Sequence, residues 1–223
     1  MVPKYCRQKI AKSRNKRLLF RQYASFLWEN LSRVRKADTQ AAICEHVGRV
    51  RMNNFEIKEA KEAISLGLDI ARRNNLPRRA SDLALAAGDM YQAQNESKLA
   101  ERCYQQALSF HSTIRVHNKF GIFHLKQKDF AQAADHFQKA LGMKGSRSEH
   151  IDALIGLGKS YLLQGKRSEA ISHLKRAENL AEDMREKIHE ISALLATAFE
   201  GIDMESRMHY LEKVNQIHME ALA

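Results

Sequence analysis

Proline is almost missing, with two residues in 223. Proline removes a backbone donor and clashes with the preceding turn of a helix, so its scarcity leaves long helices uninterrupted. No stretch alternates with a period of two long enough to define a strand, and Ala, Leu, Glu, Lys and Gln recur throughout. The chain therefore reads as all-α. No run of 18 apolar residues occurs, which excludes a membrane-spanning helix. Cysteine is limited to Cys6, Cys44 and Cys103. That odd, scattered set has no pair at metal-ligand spacing and no secretory hydrophobic segment before it. A reducing, cytoplasmic compartment is the expectation, with Cys44 and Cys103 serving as small hydrophobes on packing faces. The sequons at Asn30 and Asn95 then read as chance.

Acidic residues are nearly missing from one end. Residues 1–37 hold eleven Lys or Arg against the single acid Glu29, a net +10, while the other 186 residues carry only +1. Within this segment Phe20, Tyr23, Leu27, Leu31 and Val34 form a helical stripe, reinforced by Leu19, Phe26 and Trp28. Three readings stand side by side. The stripe can cap the first packed unit, with its cations solvated. Lys9, Lys12, Arg14, Lys16, Arg17 and Arg21 can instead contact phosphates of nucleic acid or an anionic surface. Finally, residues 1–28 are basic, acid-free and amphipathic, the profile of a mitochondrial transit peptide, although the stripe runs past any cleavage point.

What is present is a repeated lattice. Four times a small residue is followed by alanine twelve positions on, a large residue four further, and a small one three beyond. The sets are Gly48, Ala60, Ile64, Gly67; Gly88, Ala100, Tyr104, Ala107; Gly121, Ala133, Phe137, Ala140; and Gly158, Ala170, Leu174, Ala177. Small residues at helical spacing mark close helix crossings, with Gly88 expected to face Ala100 while Tyr91 and Tyr104 fill the space alongside. Neither helix of such a pair buries enough surface alone, so neighbouring pairs must stack. A fifth, degenerate pair follows, with Ile191, Leu194, Leu195 and Ala198 on one helix and Met208, Leu211 and Val214 on the next. Arg207 stands there where the lattice wants alanine.

This lattice resembles the tetratricopeptide repeat. The fourth unit fits best through Leu154, Leu157-Gly158, Tyr161, Gly165, Ala170, Leu174 and Ala177. The third has His117 and His124 where larger apolar or aromatic residues are usual, the first has Arg51 in place of the customary tyrosine, and no unit has the closing proline. The resemblance implies an α-α superhelix of about five helix pairs with an extra N-terminal helix. Its expected parts are a basic tail and helix over 1–37, four repeats over 38–182 and a capping pair over 183–223.

The resemblance further implies that the first helix of each pair lines a groove for a protein or peptide. Carried over by position, the candidate groove residues are His46, Arg49 and Asn53; Leu85, Asp89 and Gln92; Asn118, Lys119, Ile122 and Lys126; and Ile155, Lys159 and Leu162. Amides would pair with a peptide backbone, cations would meet carboxylates, and Leu85, Ile122 and Ile155 would cover apolar side chains. Capture of an acidic chaperone C-terminus is disfavoured, because Asp89 would repel a carboxylate. Phrases such as Leu68-Asp69-Ile70-Ala71-Arg72-Arg73-Asn74 are similar to repeats of bacterial peptide-sensing regulators. An adaptor, or the sensing part of a regulator, is the expected role, with a nucleic-acid-associated protein as the alternative.

Catalysis finds no support in the sequence. Gly156-Leu157-Gly158-Lys159-Ser160 imitates the end of a phosphate-binding loop, but the required glycine five residues before Gly158 is Ala153. No His pair flanks a glutamate at zinc-hydrolase spacing, and His117 and His124, seven apart, stand too far from each other to chelate one ion unaided. They read as surface or partly packed histidines, and neither a metal nor a cofactor is expected.

Overall fold

The computed structural model describes residues 18–222. These form eleven α-helices and no strand among the described residues: α1 (18–29), α2 (Ala37–Asn53), α3 (Ile57–Arg73), α4 (Pro77–Ala93), α5 (Ser97–Phe110), α6 (Ile114–Lys126), α7 (Phe130–Leu141), α8 (Arg147–Leu163), α9 (Arg167–Leu180), α10 (Arg185–Ala198) and α11 (Met204–Leu222). A short 3-10 turn, Leu31–Arg33, follows α1. The chain divides after Ser112 into two compact units. The first holds the pairs α2/α3 and α4/α5, and the second holds α6/α7, α8/α9 and α10/α11.

The helices of each pair are separated by a turn of one design. Phe55, Asn95, Lys128, Gly165 and Gly201 have φ of 64°, 61°, 62°, 77° and 74°. In four of these turns the next residue's N–H reaches back five positions, as in Glu56 to the Arg51 carbonyl and Lys166 to the Tyr161 carbonyl, both at 2.9 Å. This is the left-handed C-cap that satisfies terminal carbonyls. Glycine takes that conformation without strain, whereas a bulky Phe55 does not. In the first four pairs the turn residue stands seven positions after the crossing glycine, so it belongs to the same lattice.

The lattice is a packing code. Ala60, Ala100, Ala133 and Ala170 are fully buried, as are Ala107, Ala140 and Ala177. A methyl group added to Gly48 would stand 2.6 Å from Ile64, on Gly88 2.8 Å from Tyr104, on Gly121 2.8 Å from Phe137 and on Gly158 2.6 Å from Leu174. This corrects the expectation for Gly88. The glycine makes room for the large residue sixteen positions on, and Tyr104 is the side chain pressed against it. Phe137 is held twice, since a methyl on Gly156 would stand 2.3 Å from its ring. Cys44 is fully buried, and burial pushes its thiol up to about 11, consistent with a small apolar filler.

Both ends depart from the expected stripes. On α1 the inward face is Ala24 with half-buried Leu27 and Trp28, packed with Val47 and Ala63, and Leu31 in the turn beyond joins the core around Cys44 and Ile64. Phe20 and Tyr23, expected inward, are 47% and 53% exposed. Small Ala24 admits close approach at that point and so sets which face turns in. Arg51, standing where a tyrosine is customary, lies over the Trp28 ring at 5.1 Å, so α1 supplies the missing aromatic surface. On α11 the inward side chain is Tyr210, stacked on Phe199 with ring centroids 5.8 Å apart. Met208 and Leu211 are exposed, while Val214 is half-buried. The pair exists, but its inner face is shifted by about one residue from the expected one, with Tyr210 packed in place of Leu211.

Candidate functional site

In the second unit the first helices of three successive pairs enclose a cavity of about 490 Å³. Helix α6 contributes Ile122, Leu125 and Lys126; α8 contributes Asp152, Ile155, Gly156 and Lys159; α10 contributes Lys187 and Glu190. The floor is apolar, formed by buried Ile155 with half-buried Leu125 and exposed Ile122. Across it run two ion pairs of opposite sense. Lys159 Nζ donates to Glu190 at 2.6 Å, and Lys187 Nζ donates to Asp152 at 2.5 Å. Burial disfavours the Lys187 ammonium, but the Asp152 hydrogen bond and the charges of Asp152, Glu190 and Glu186 outweigh it, and its pKa is raised. Lys126 adds a third cation, so the wall carries three cations against two carboxylates.

Ile122, Lys126, Ile155 and Lys159 are therefore brought together around one space. Asn118 is not part of it. It is 6% exposed, and its amide donates to the Glu149 carbonyl at 2.8 Å, which spends it on joining α6 to α8. Lys119 is half-buried on α6, and half-buried Leu162 packs against the core around Leu174 and Leu195. Asp152, Lys187 and Glu190 were not anticipated. Asp152 stands seven residues before Lys159, on the same helix face, which is a usable signal. The α10 residues lie in the degenerate pair, where the lattice gives no register. Gly156 to Ser160, the imitation phosphate loop, is interior to α8.

The first unit places its candidates differently. Leu85 is 1% exposed, so it is core and presents nothing to a ligand. Arg49 is occupied by Glu45 at 3.0 Å and Asp89 at 3.5 Å, and Asp89 also accepts from the Tyr104 hydroxyl at 2.9 Å. This is a network joining α2, α4 and α5, and Gln92 lies half-buried farther along α4. Exposed His46 and Asn53 line a separate recess of about 410 Å³ with Phe20, Val50 and Asn54, and His46 meets Tyr23 edge-on at 6.1 Å. Of the anticipated phosphate contacts, Lys9, Lys12, Arg14, Lys16 and Arg17 lie outside the described residues. Arg21 pairs with Glu56 at 2.5 Å.

The histidines of the third pair are interior, against the expectation of surface or partly packed rings. His117, His124 and His136 are each at most 9% exposed. His117 Nδ1 and His136 Nδ1 lie 3.1 Å apart, His124 stacks on His136 at 5.3 Å, and Phe120 sits 4.3 Å from His136 and 4.7 Å from His124. One Nδ1 of the linked pair must accept, so both rings cannot be protonated while the bond stands. Burial lowers the His136 pKa to about 4, with the charges of His117 and His124 acting in the same direction. Burial, then Lys139, lowers that of His117. His136 went unremarked in the sequence, yet the repeat register shows it. The same two lattice positions hold Tyr161 and His173 in the fourth pair, stacked at 5.5 Å. Among the described residues no group of three or more His, Cys, Asp or Glu is arranged to hold a metal.

Residues 112–183 match the tetratricopeptide repeat family model. No protein of curated function is matched by the sequence. Among solved structures, pilF of Pseudomonas aeruginosa is similar over 81% of this chain and 77% of its own, at 22% identity and TM-score 0.67. A putative kinesin light chain of Podospora anserina, with nearly identical tetratricopeptide-like repeats, is similar over 84% of this chain and 99% of its own, at 15% identity and TM-score 0.65. YrrB, a tetratricopeptide repeat protein with an unusual peptide-binding site, is similar over 82% of this chain and 90% of its own, at 17% identity and TM-score 0.56. The chain is all-α and shares the α-α superhelix fold of these tetratricopeptide repeat structures.

Proposed function

We propose that the chain is a binding scaffold that holds an extended peptide segment of a protein partner in the cavity of the second unit. The observation that carries this reading is the wall made by α6, α8 and α10: an apolar floor at Ile122, Leu125 and Ile155, crossed by the ion pairs Lys159–Glu190 and Lys187–Asp152. An apolar side chain of the peptide covers the floor, and a charged neighbour exchanges with one of the two pairs. The fold similarity to a protein with a peptide-binding site supports the general mode. Such a module serves as an adaptor or as the sensing part of a regulator.

The test is selection of peptides from a displayed library on the full chain, followed by titration of the best binders. Ile122→Asp and Lys159→Glu should each weaken them about tenfold or more, because the first buries a charge and the second reverses one. Both side chains are at least a third exposed, so the fold should survive, as melting would confirm. Binders that ignore both changes would refute the cavity as the site.

A further inference from the structure

In the first unit the end of α3, the start of α4 and the end of α5 enclose a groove of about 400 Å³. Buried Ala71 and Ala80 form its floor, and half-buried Leu76 and Phe110 flank it with exposed Pro77. In the lattice register the place of Ala80 is taken in the fourth pair by His150, whose ring reaches the Met143 carbonyl at 3.1 Å. The groove is open because alanine stands where a larger side chain is possible.

The rim of this groove is cationic. Arg72 lies over the Phe110 ring, 5.3 Å from its centroid. Exposed Arg73 follows it on α3, and exposed Arg78 follows Pro77 on α4. Among the described residues no carboxylate pairs with any of the three, and Asp69, one turn before Arg73, makes no ion pair with it. A fourth arginine, Arg79, is held by Asp38 at 2.8 Å. The first turn of α4 contains no acid, so the positive end of that helix adds to the cations instead of offsetting them. These like charges repel one another in the free chain, and an anionic ligand relieves the repulsion.

We propose that this groove docks an acidic peptide segment carrying one aliphatic or aromatic side chain. That side chain enters beside Leu76, Pro77 and Phe110, and its neighbouring carboxylates meet Arg72, Arg73 and Arg78. The exposed carboxamide of Asn75, which also lines the groove, is placed to pair with the peptide main chain. The site belongs to a different unit from the cavity of α6, α8 and α10 and does not depend on the function proposed for that cavity.

Other occupants fit less well. Single-stranded nucleic acid needs open ring faces for stacking and a track of cations along its backbone. Here one face of Phe110 is covered by Arg72, and the arginines are gathered at a single edge. A second copy of the chain, at +11, is repelled at a distance.

The experiment is fluorescence anisotropy of the full chain with three labelled peptides at low and physiological salt. The first has two glutamates on each side of a leucine, the second has glutamines in place of the glutamates, and the third has serine in place of the leucine. The first should bind about tenfold or more tightly than either control, and less tightly at higher salt. R73E/R78E should weaken it about tenfold or more, as should Pro77→Asp, which sets a carboxylate in the groove. Aspartate suits the first turn of a helix, so an unchanged melting temperature for Pro77→Asp separates lost binding from lost structure. If Pro77→Asp melts early, R73E/R78E still decides, because both positions are exposed and unpaired. Equal binding of the three peptides overturns the proposal, as does full affinity in R73E/R78E. Affinity lost only in I122D/K159E would place the peptide in the second unit and overturn it too. A single-stranded oligonucleotide that binds more tightly than the first peptide and is weakened by R73E/R78E would assign the arginines to nucleic acid instead. A dimer dispersed by R73E/R78E would assign the groove to self-association.

Discussion

The third and fourth helix pairs carry one lattice and differ in what fills it. In α8/α9 the aromatic position is Tyr161 and the turn position is Gly165, so ring and backbone both suit their places. In α6/α7 the same two positions are His124 and Lys128, with His117 and His136 added to the interior. Both pairs keep the tight crossing, at Gly121–Phe137 and at Gly158–Leu174. Backbone geometry is therefore fixed by the small residues, while the filling can change from apolar to titratable without altering it. The third pair gains sensitivity to pH and a strained turn, which the fourth largely avoids.

The largest effect should come from removing the wedges. Phe137→Ala should cost about 3–5 kcal/mol, because the ring is 1% exposed and lies between Gly121 and Gly156, and Leu174→Ala should cost about 2–5 kcal/mol. Denaturant unfolding of both variants measures the difference. A loss under about 1 kcal/mol for either would contradict its place in the core.

Acid should separate the pairs next. The folded-state pKa of His136 lies below its ordinary 6.5, at about 4, and that of His117 is also lowered. The unfolded chain therefore takes up protons that the folded one refuses. Stability should be complete above about pH 6.5, fall through the window down to about pH 4, and level off below it for this group. The expected loss from His136 is about 2–3 kcal/mol. His136→Gln should flatten much of that slope. His173→Gln should flatten less, since His173, although lowered by burial and then by Arg176, is half-buried. Equal slopes for wild type and His136→Gln would remove the histidine cluster from the explanation.

The turns should give the smallest change. Lys128→Gly relieves a side chain held at φ 62° and should stabilise by about 0.5–1 kcal/mol, whereas Gly165→Lys, at φ 77°, should destabilise by about 1–2 kcal/mol. Thermal melts of the two variants should therefore shift in opposite directions.

These contrasts also mark how far the sequence could be read. Glycines and alanines at fixed spacing gave the pairs, the crossings and the fold class, because close approach admits few alternatives. Groove residues were less legible. Ile122, Ile155 and Lys159 landed around one cavity, but Leu85 and Asn118 turned inward, since one helix position can serve core or surface depending on how the neighbouring helix is tilted. The α11 face was misjudged for a related reason. Ser206 and Tyr210 take the small and large lattice positions, one residue before Arg207 and Leu211, and only the turn at Gly201 marks that register. The interior of the third pair was hidden because a histidine carries no mark of burial in its own spacing. Only superposition on Tyr161 and His173 reveals it.

The two lysine–carboxylate links between α8 and α10 bear on kinetics. Their dipoles run in opposite directions and oppose each other at a distance, so the pull on an approaching charged peptide would come mainly from the wall's one cation in excess. On the proposed reading, a seated peptide would swap one contact for an equivalent one, leaving residence time to be governed by how well its apolar side chain matches Ile122 and Ile155. Such a vestibule would then favour quick turnover of guests sorted by shape.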